Sequence, residues 1–97
     1  MRLSYHRLAI RDVRQILDYY ESEAGADLAG RFFAELLATI GKAIENPRRF
    51  PPVGEVLRRA NLGEFPYHVL YEEVLDGIRV LVIRHDRRDP RYGTKRR

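Results

Sequence analysis

The sequence predicts an α+β domain in which an N-terminal helical hairpin packs on an antiparallel sheet of about four strands. Three observations predict it. Apolar residues recur at helical spacing through two early stretches, two β-branched and aromatic runs follow with Asp76-Gly77 between them, and a proline cluster divides the helical part from the strands. Taken in order, Leu3 to His6 is a short apolar start of the kind that joins a sheet as a strand. From Leu8 onward Ala9, Val13, Ile16, Leu17 and Tyr20 form one apolar stripe, with Arg11, Asp12, Arg14, Gln15 and Asp18 assigned to the other faces. Gly25 is placed to end this helix, and Asp27 suits the positive end of the next. The second helix reads from Ala26 to Glu45, with a broad apolar face that includes Phe32, Phe33, Leu36, Leu37 and Ile40. Asn46-Pro47 ends it. Gly30 and Gly41 inside it suggest close approach of the two helices. After the loop marked by Pro47, Pro51 and Pro52, Glu55 to Ala60 is a third strand candidate, followed by an Asn61-Leu62-Gly63 turn.

Phe65 to Glu73 and Ile78 to His85 then form a hairpin, since Asp76-Gly77 tolerates the positive φ of a tight turn. Strict alternation sets Tyr67, Val69, Tyr71, Val80, Val82 and Arg84 on one face, and His68, Leu70, Leu81, Ile83 and His85 on the other. Both faces are largely apolar, and the helices cover only one. The other face is expected to meet a second chain or the C-terminal segment, or to lie under loop 47–57.

With 97 residues the chain suits one domain. It has no cysteine, so disulfides, thiolate metal sites and a cysteine nucleophile are excluded. Its apolar runs are too short for a membrane span, and charges occupy the start where a signal peptide needs an apolar run, so a cytoplasmic protein without membrane partners is expected. The formal net charge is +4, from 16 Arg and 2 Lys against 14 acids. It is uneven: residues 84–97 alone hold 7 basic and 2 acidic groups. This arginine-rich strip favours bidentate contacts to phosphate or carboxylate. Lys95, Arg96 and Arg97 read as a solvated tail.

No Walker loop, dinucleotide-binding glycine turn, nucleophile elbow or zinc-protease helix is present, and Ser4 and Ser22 are the only serines. His68 and His85 are too few to make a metal site. The segment from Arg84 to Tyr92 is the densest in useful groups. A histidine for proton transfer, arginines for phosphate and a tyrosine to stack or position a hydroxyl are what metal-free RNA cleavage through the 2′-OH requires. Equally, Asp86 and Asp89 can pair with neighbouring arginines while Tyr92 packs on the sheet.

The order Tyr19-Tyr20, Phe32-Phe33, Asn46-Pro47, Phe50-Pro51, Arg58-Arg59, Phe65-Pro66-Tyr67, Tyr71, a valine-rich strand and then His85, Arg88 and Pro90 resembles the RelE/ParE superfamily of type II toxin-antitoxin toxins. The resemblance spans nearly the whole chain and implies one toxin domain over residues 1–92, with 93–97 as a basic tail. It also implies a bacterial growth-inhibiting toxin of the plasmid-stabilisation type, with no cofactor or metal, neutralised by a cognate acidic antitoxin encoded beside it. The target is either DNA gyrase, as for ParE-like members, or ribosome-bound mRNA, as for RelE-like ones. A non-toxic binding module of the same fold is a third reading. If the chain is RelE-like, Arg59, Arg84, His85 and Tyr92 are the catalytic candidates. Arg58, Arg59, Arg84, Arg87, Arg88 and Arg91 are candidates for nucleic-acid or anion binding. The antitoxin is expected on the sheet face through His68, Leu70, Leu81 and Ile83. The long helical hairpin, and the absence of lysines where RelE-like nucleases carry them, favour the ParE-like reading.

Overall fold

A computed structural model describes residues 2–97. Strand β1 (Arg2–Tyr5) leads into helices α1 (Arg7–Ala24) and α2 (Ala26–Glu45), followed by β2 (Pro52–Val53), β3 (Leu57–Asn61), β4 (Tyr67–Val74) and β5 (Gly77–His85). The sheet has five strands, in the order β1-β5-β4-β3-β2, where about four were expected. It is mixed, because β1 runs parallel to β5 while all other pairs are antiparallel. The fifth strand is the two-residue β2, hidden in the sequence by Pro52. Proline is tolerated there because β2 lies at the edge of the sheet and needs no donor on its outer side.

α1 begins one residue before the predicted Leu8, capped by His6, whose Nδ1 accepts from the Leu8 N–H at 3.0 Å. Gly25, at φ 95°, closes α1 through its N–H and opens α2, which makes the link a single residue and the helices antiparallel. The β4–β5 hairpin forms, but its turn is one residue earlier than read: Leu75 and Asp76 make it, with Asp76 at φ 74°, and Gly77 pairs with Val74 as the first residue of β5. A Cβ on Gly77 would lie 1.8 Å from the Arg2 carbonyl oxygen, so glycine there lets β1 pair with β5. Gly30 and Gly41 do not mark a close helix contact, since an added Cβ at either would meet nothing within 4 Å.

The core lies between the helices and one sheet face. Phe32 sits within aromatic contact distance of Tyr20, Phe65 and Tyr67, with ring centroids 5.3–5.6 Å apart. Val69, Tyr71, Ile78, Val80 and Ile83 complete this face. The far face holds a second cluster of Leu57, Leu70, Leu81 and Val82, packed against Val53 and Tyr92.

The predicted alternation fails midway along β5. A register shift opposite Leu70/Tyr71 leaves Leu81 unpaired with β4, so Leu81 and Val82 both join the far-face cluster. Beyond that point every side chain exchanges faces. Ile83 turns in to the helices and Arg84 out, the reverse of their assignments, and His85 parts from His68. The far face is covered by the chain's own C-terminal segment, one of the alternatives the sequence left open.

Candidate functional site

Four charged or titratable side chains meet on the far face. Strand pairing places Asn61 opposite His68 and His68 opposite Arg84, with Arg59 on the neighbouring strand. His68 is fully buried. Its Nε2 accepts from Arg84 Nε at 2.8 Å, so the proton resides on Nδ1, which donates to Asp86 Oδ1 at 2.8 Å. Burial pushes the His68 pKa down, a carboxylate bond to Asp86 opposes this, and the charges of Arg59 and Arg84 add to the lowering. Arg59 reaches Asp86 at 3.5 Å and donates to Asn61 at 2.8 Å.

Arg84 is 6% exposed, and its pKa is lowered by burial and by Arg59. Its Nη1 donates to the carbonyls of Pro90 and Tyr92 at 2.8 and 2.9 Å. This guanidinium therefore fastens the C-terminal segment onto the sheet, with Nε bonded to His68 and Nη1 to backbone.

The other RelE-like candidates lie elsewhere. His85 is across the sheet, edge-on to Tyr67 at 5.1 Å, with Nδ1 accepting from the Arg87 N–H. Tyr67 itself is pushed up to about 12 by burial. Tyr92 packs against the far-face cluster, its hydroxyl donates to Asp12 at 3.2 Å, and Arg88 lies 3.9 Å over its ring. Arg59 and Arg84 thus come together around His68, while Arg84, His85 and Tyr92 meet Arg88 and Asp12 in the lining of a separate pocket of about 200 Å³ at the edge of the sheet.

Arg58 turns toward the 47–51 loop and donates to the Phe50 carbonyl at 2.7 Å. Arg87, Arg88 and Arg91 are exposed, with Arg91 paired to Asp89 at 2.8 Å. His68, Leu70, Leu81 and Ile83 are 0–3% exposed, so none of these four offers surface to a partner while the segment is in place.

One element of the site escaped the sequence reading. Beyond Tyr5 the outer edge of β5 has no strand partner, and side chains occupy it. Asp12 accepts from the Ile83 N–H at 3.1 Å, and Arg96 donates to the Leu81 carbonyl at 2.8 Å. The two form an ion pair at 2.6 Å with side chains 4% and 9% exposed. Burial lowers the Arg96 pKa, but the bonds and charge of Asp12 outweigh it and leave it raised. Arg96 is therefore a docked clip and not part of a solvated tail, whereas Lys95 and Arg97 remain exposed. The signal was in the pattern: Asp12 lies three residues after Ala9 and four before Ile16, on the core stripe of α1.

A second surface lies on the helical hairpin, where Ile10, Phe33 and Leu37 are 41–49% exposed and line an apolar groove of about 530 Å³ with Tyr5, Val13 and Leu17.

The fold is that of a small basic α+β protein whose buried polar groups hydrogen-bond within the chain. The model of the family described as "ParE toxin of type II toxin-antitoxin system, parDE" matches residues 3–90, and the chain belongs to that family. A solved structure entitled "Chromosomal ParDE TA system from P. aeruginosa" is similar in fold, with a TM-score of 0.77 and 20% identity over 88% of this chain and 95% of that one. No curated protein matches the sequence.

Proposed function

We propose that this ParE-family toxin arrests growth in the bacterial cytoplasm by binding DNA gyrase, not by cutting mRNA, and that an acidic antitoxin restrains it. The observation that carries this reading is the commitment of the nuclease candidates to structural bonds. Arg84 is buried and bonded to His68 and two carbonyls, the Tyr92 hydroxyl is bonded to Asp12, and His85 Nδ1 accepts from the Arg87 N–H, although Arg84, His85 and Tyr92 line one pocket. A metal-free nuclease needs its acid, base and phosphate clamp free to engage one scissile bond. The apolar groove between α1 and α2 is the seat we assign to an amphipathic antitoxin segment, because it offers exposed anchors at helical spacing on a chain of net charge +4.

Purified toxin at micromolar concentration is expected to block supercoiling by gyrase, and to leave translated mRNA intact by primer extension. Unaltered supercoiling, or cuts in the transcript, would overturn the proposal, as would normal growth of cells expressing the chain alone.

A further inference from the structure

A groove of about 750 Å³ runs between the first turns of α1 and the C-terminal segment, and Arg7, Arg11, Arg88, Arg91, Lys95 and Arg96 line it. No acidic side chain does. Arg96 is neutralised from beneath by Asp12 and Arg91 by Asp89, which leaves four positive charges, as many as the net charge of the whole chain. Arg7, Arg11, Arg88 and Lys95 are exposed, and among the described residues none makes an ion pair within 4 Å. Cations held this close repel one another unless an anion lies between them.

The geometry points to this groove as a binding site for the sugar–phosphate backbone of duplex DNA. An acidic peptide that folds on binding needs apolar anchors, and the groove offers only the half-buried Leu8 and Tyr92. A single strand needs free aromatic faces for its bases. Tyr92 has none to give, because Arg88 lies 3.9 Å over its ring and its hydroxyl is bonded to Asp12. A duplex keeps its bases stacked within and presents phosphates alone, which a cluster of arginines and a lysine can hold without reading sequence. The choice of DNA over RNA rests on gyrase as the target; the backbone contact does not.

Fluorescence anisotropy of a short labelled DNA duplex, titrated with the full chain and without gyrase, tests the site. Four phosphate contacts predict sequence-independent binding with a log–log salt slope of about −3 to −4, a loss of about a hundredfold between roughly 50 and 200 mM salt. The double substitution Arg11→Gln/Lys95→Gln, at exposed positions, should weaken binding roughly sixtyfold at about 0.1 M salt and bring the slope near −2. Lys42→Gln/Arg49→Gln removes the same charge outside the groove and should have little effect. Equal loss in both pairs, no binding at low salt, or tighter binding to duplex RNA or to a Glu-rich peptide of matched charge would each overturn the proposal. A chain that binds DNA yet leaves supercoiling unchanged would overturn the gyrase reading and uphold this one.

Discussion

His68 occupies a position that only its neutral form can fill. Nε2 accepts from Arg84 and Nδ1 donates to Asp86, so a second ring proton would face the Arg84 Nε–H at 2.8 Å. The charged groups around it are Arg59 from β3, Arg84 from β5 and Asp86 from the turn after β5. Its pKa in the folded chain lies below the ordinary 6.5, chiefly through burial. Between the two values the unfolded chain therefore binds more protons. Stability from this residue is complete above about pH 6.5, falls as the pH drops through that window and levels off below the folded value. Denaturant midpoints measured from pH 8 to pH 5 should fall for the wild type more steeply than for His68→Gln, which cannot titrate. Parallel profiles for the two proteins would refute this account. Little of this chemistry was legible in the sequence. Arg84 and His68 both stood out, but as surface groups, because partners from three strands and a turn define their burial. Asp12 was legible in principle from its place on the apolar stripe of α1, yet a carboxylate there reads as a solvated residue until Arg96, 84 positions later, is seen to pair with it.

Elements were read well where one local rule decides them. The stripe of α1, the end of α2 at Asn46-Pro47 and the hairpin turn at Asp76 each follow from side-chain spacing or backbone freedom within a few residues. The β5 register was not legible, because nothing local marks which residue goes unpaired, and that one residue reverses the faces of Val82, Ile83, Arg84 and His85. The C-terminal segment was one of the covers the sequence allowed for the apolar far face, but Arg96 was misread as solvated because its partners, Asp12 and the Leu81 carbonyl, lie far away in sequence. Gly93 shows how closely the segment docks. At φ 79° it occupies left-handed backbone, and an added Cβ would lie 2.5 and 2.9 Å from the two methyl carbons of Val82. Gly54, at φ 69°, shares the backbone conformation but has open space around it. Gly54→Ala should therefore cost only the left-handed penalty of about 1–2 kcal/mol, while Gly93→Ala should cost that and a further 1–3 kcal/mol or so for overpacking. Urea denaturation of the two variants separates the terms. Equal destabilisation would mean that the segment does not press on Val82.

At the scale of the whole molecule α1 divides two unlike surfaces. Arg7 and Arg11 border the cationic groove on one flank, and Ile10 and Leu17 border the apolar groove on the other. The sequence displayed the basic C-terminal strip, but two of the groove's arginines come from an N-terminal half with more acids than bases, so the site was invisible before folding joined them. An acidic antitoxin seated on the helical hairpin would feel both surfaces in different ways. Long-range attraction to the cations speeds its arrival and is screened by salt, while the apolar anchors set how long it stays. In stopped-flow and dissociation measurements with a cognate antitoxin, raising salt from about 0.05 to 0.5 M should slow association roughly tenfold with little change in dissociation. Leu37→Asp, at a position 47% exposed and so inexpensive to the fold, should do the opposite: dissociation accelerates by about thirtyfold or more, the kinetic equivalent of a 2 kcal/mol anchor, while association changes little. Arg11→Gln should affect association alone. If Leu37→Asp leaves dissociation unchanged, the antitoxin is anchored elsewhere, and the sheet face beneath a displaced C-terminal segment becomes the surface to test, with Leu70 and Leu81 as the anchors it would expose.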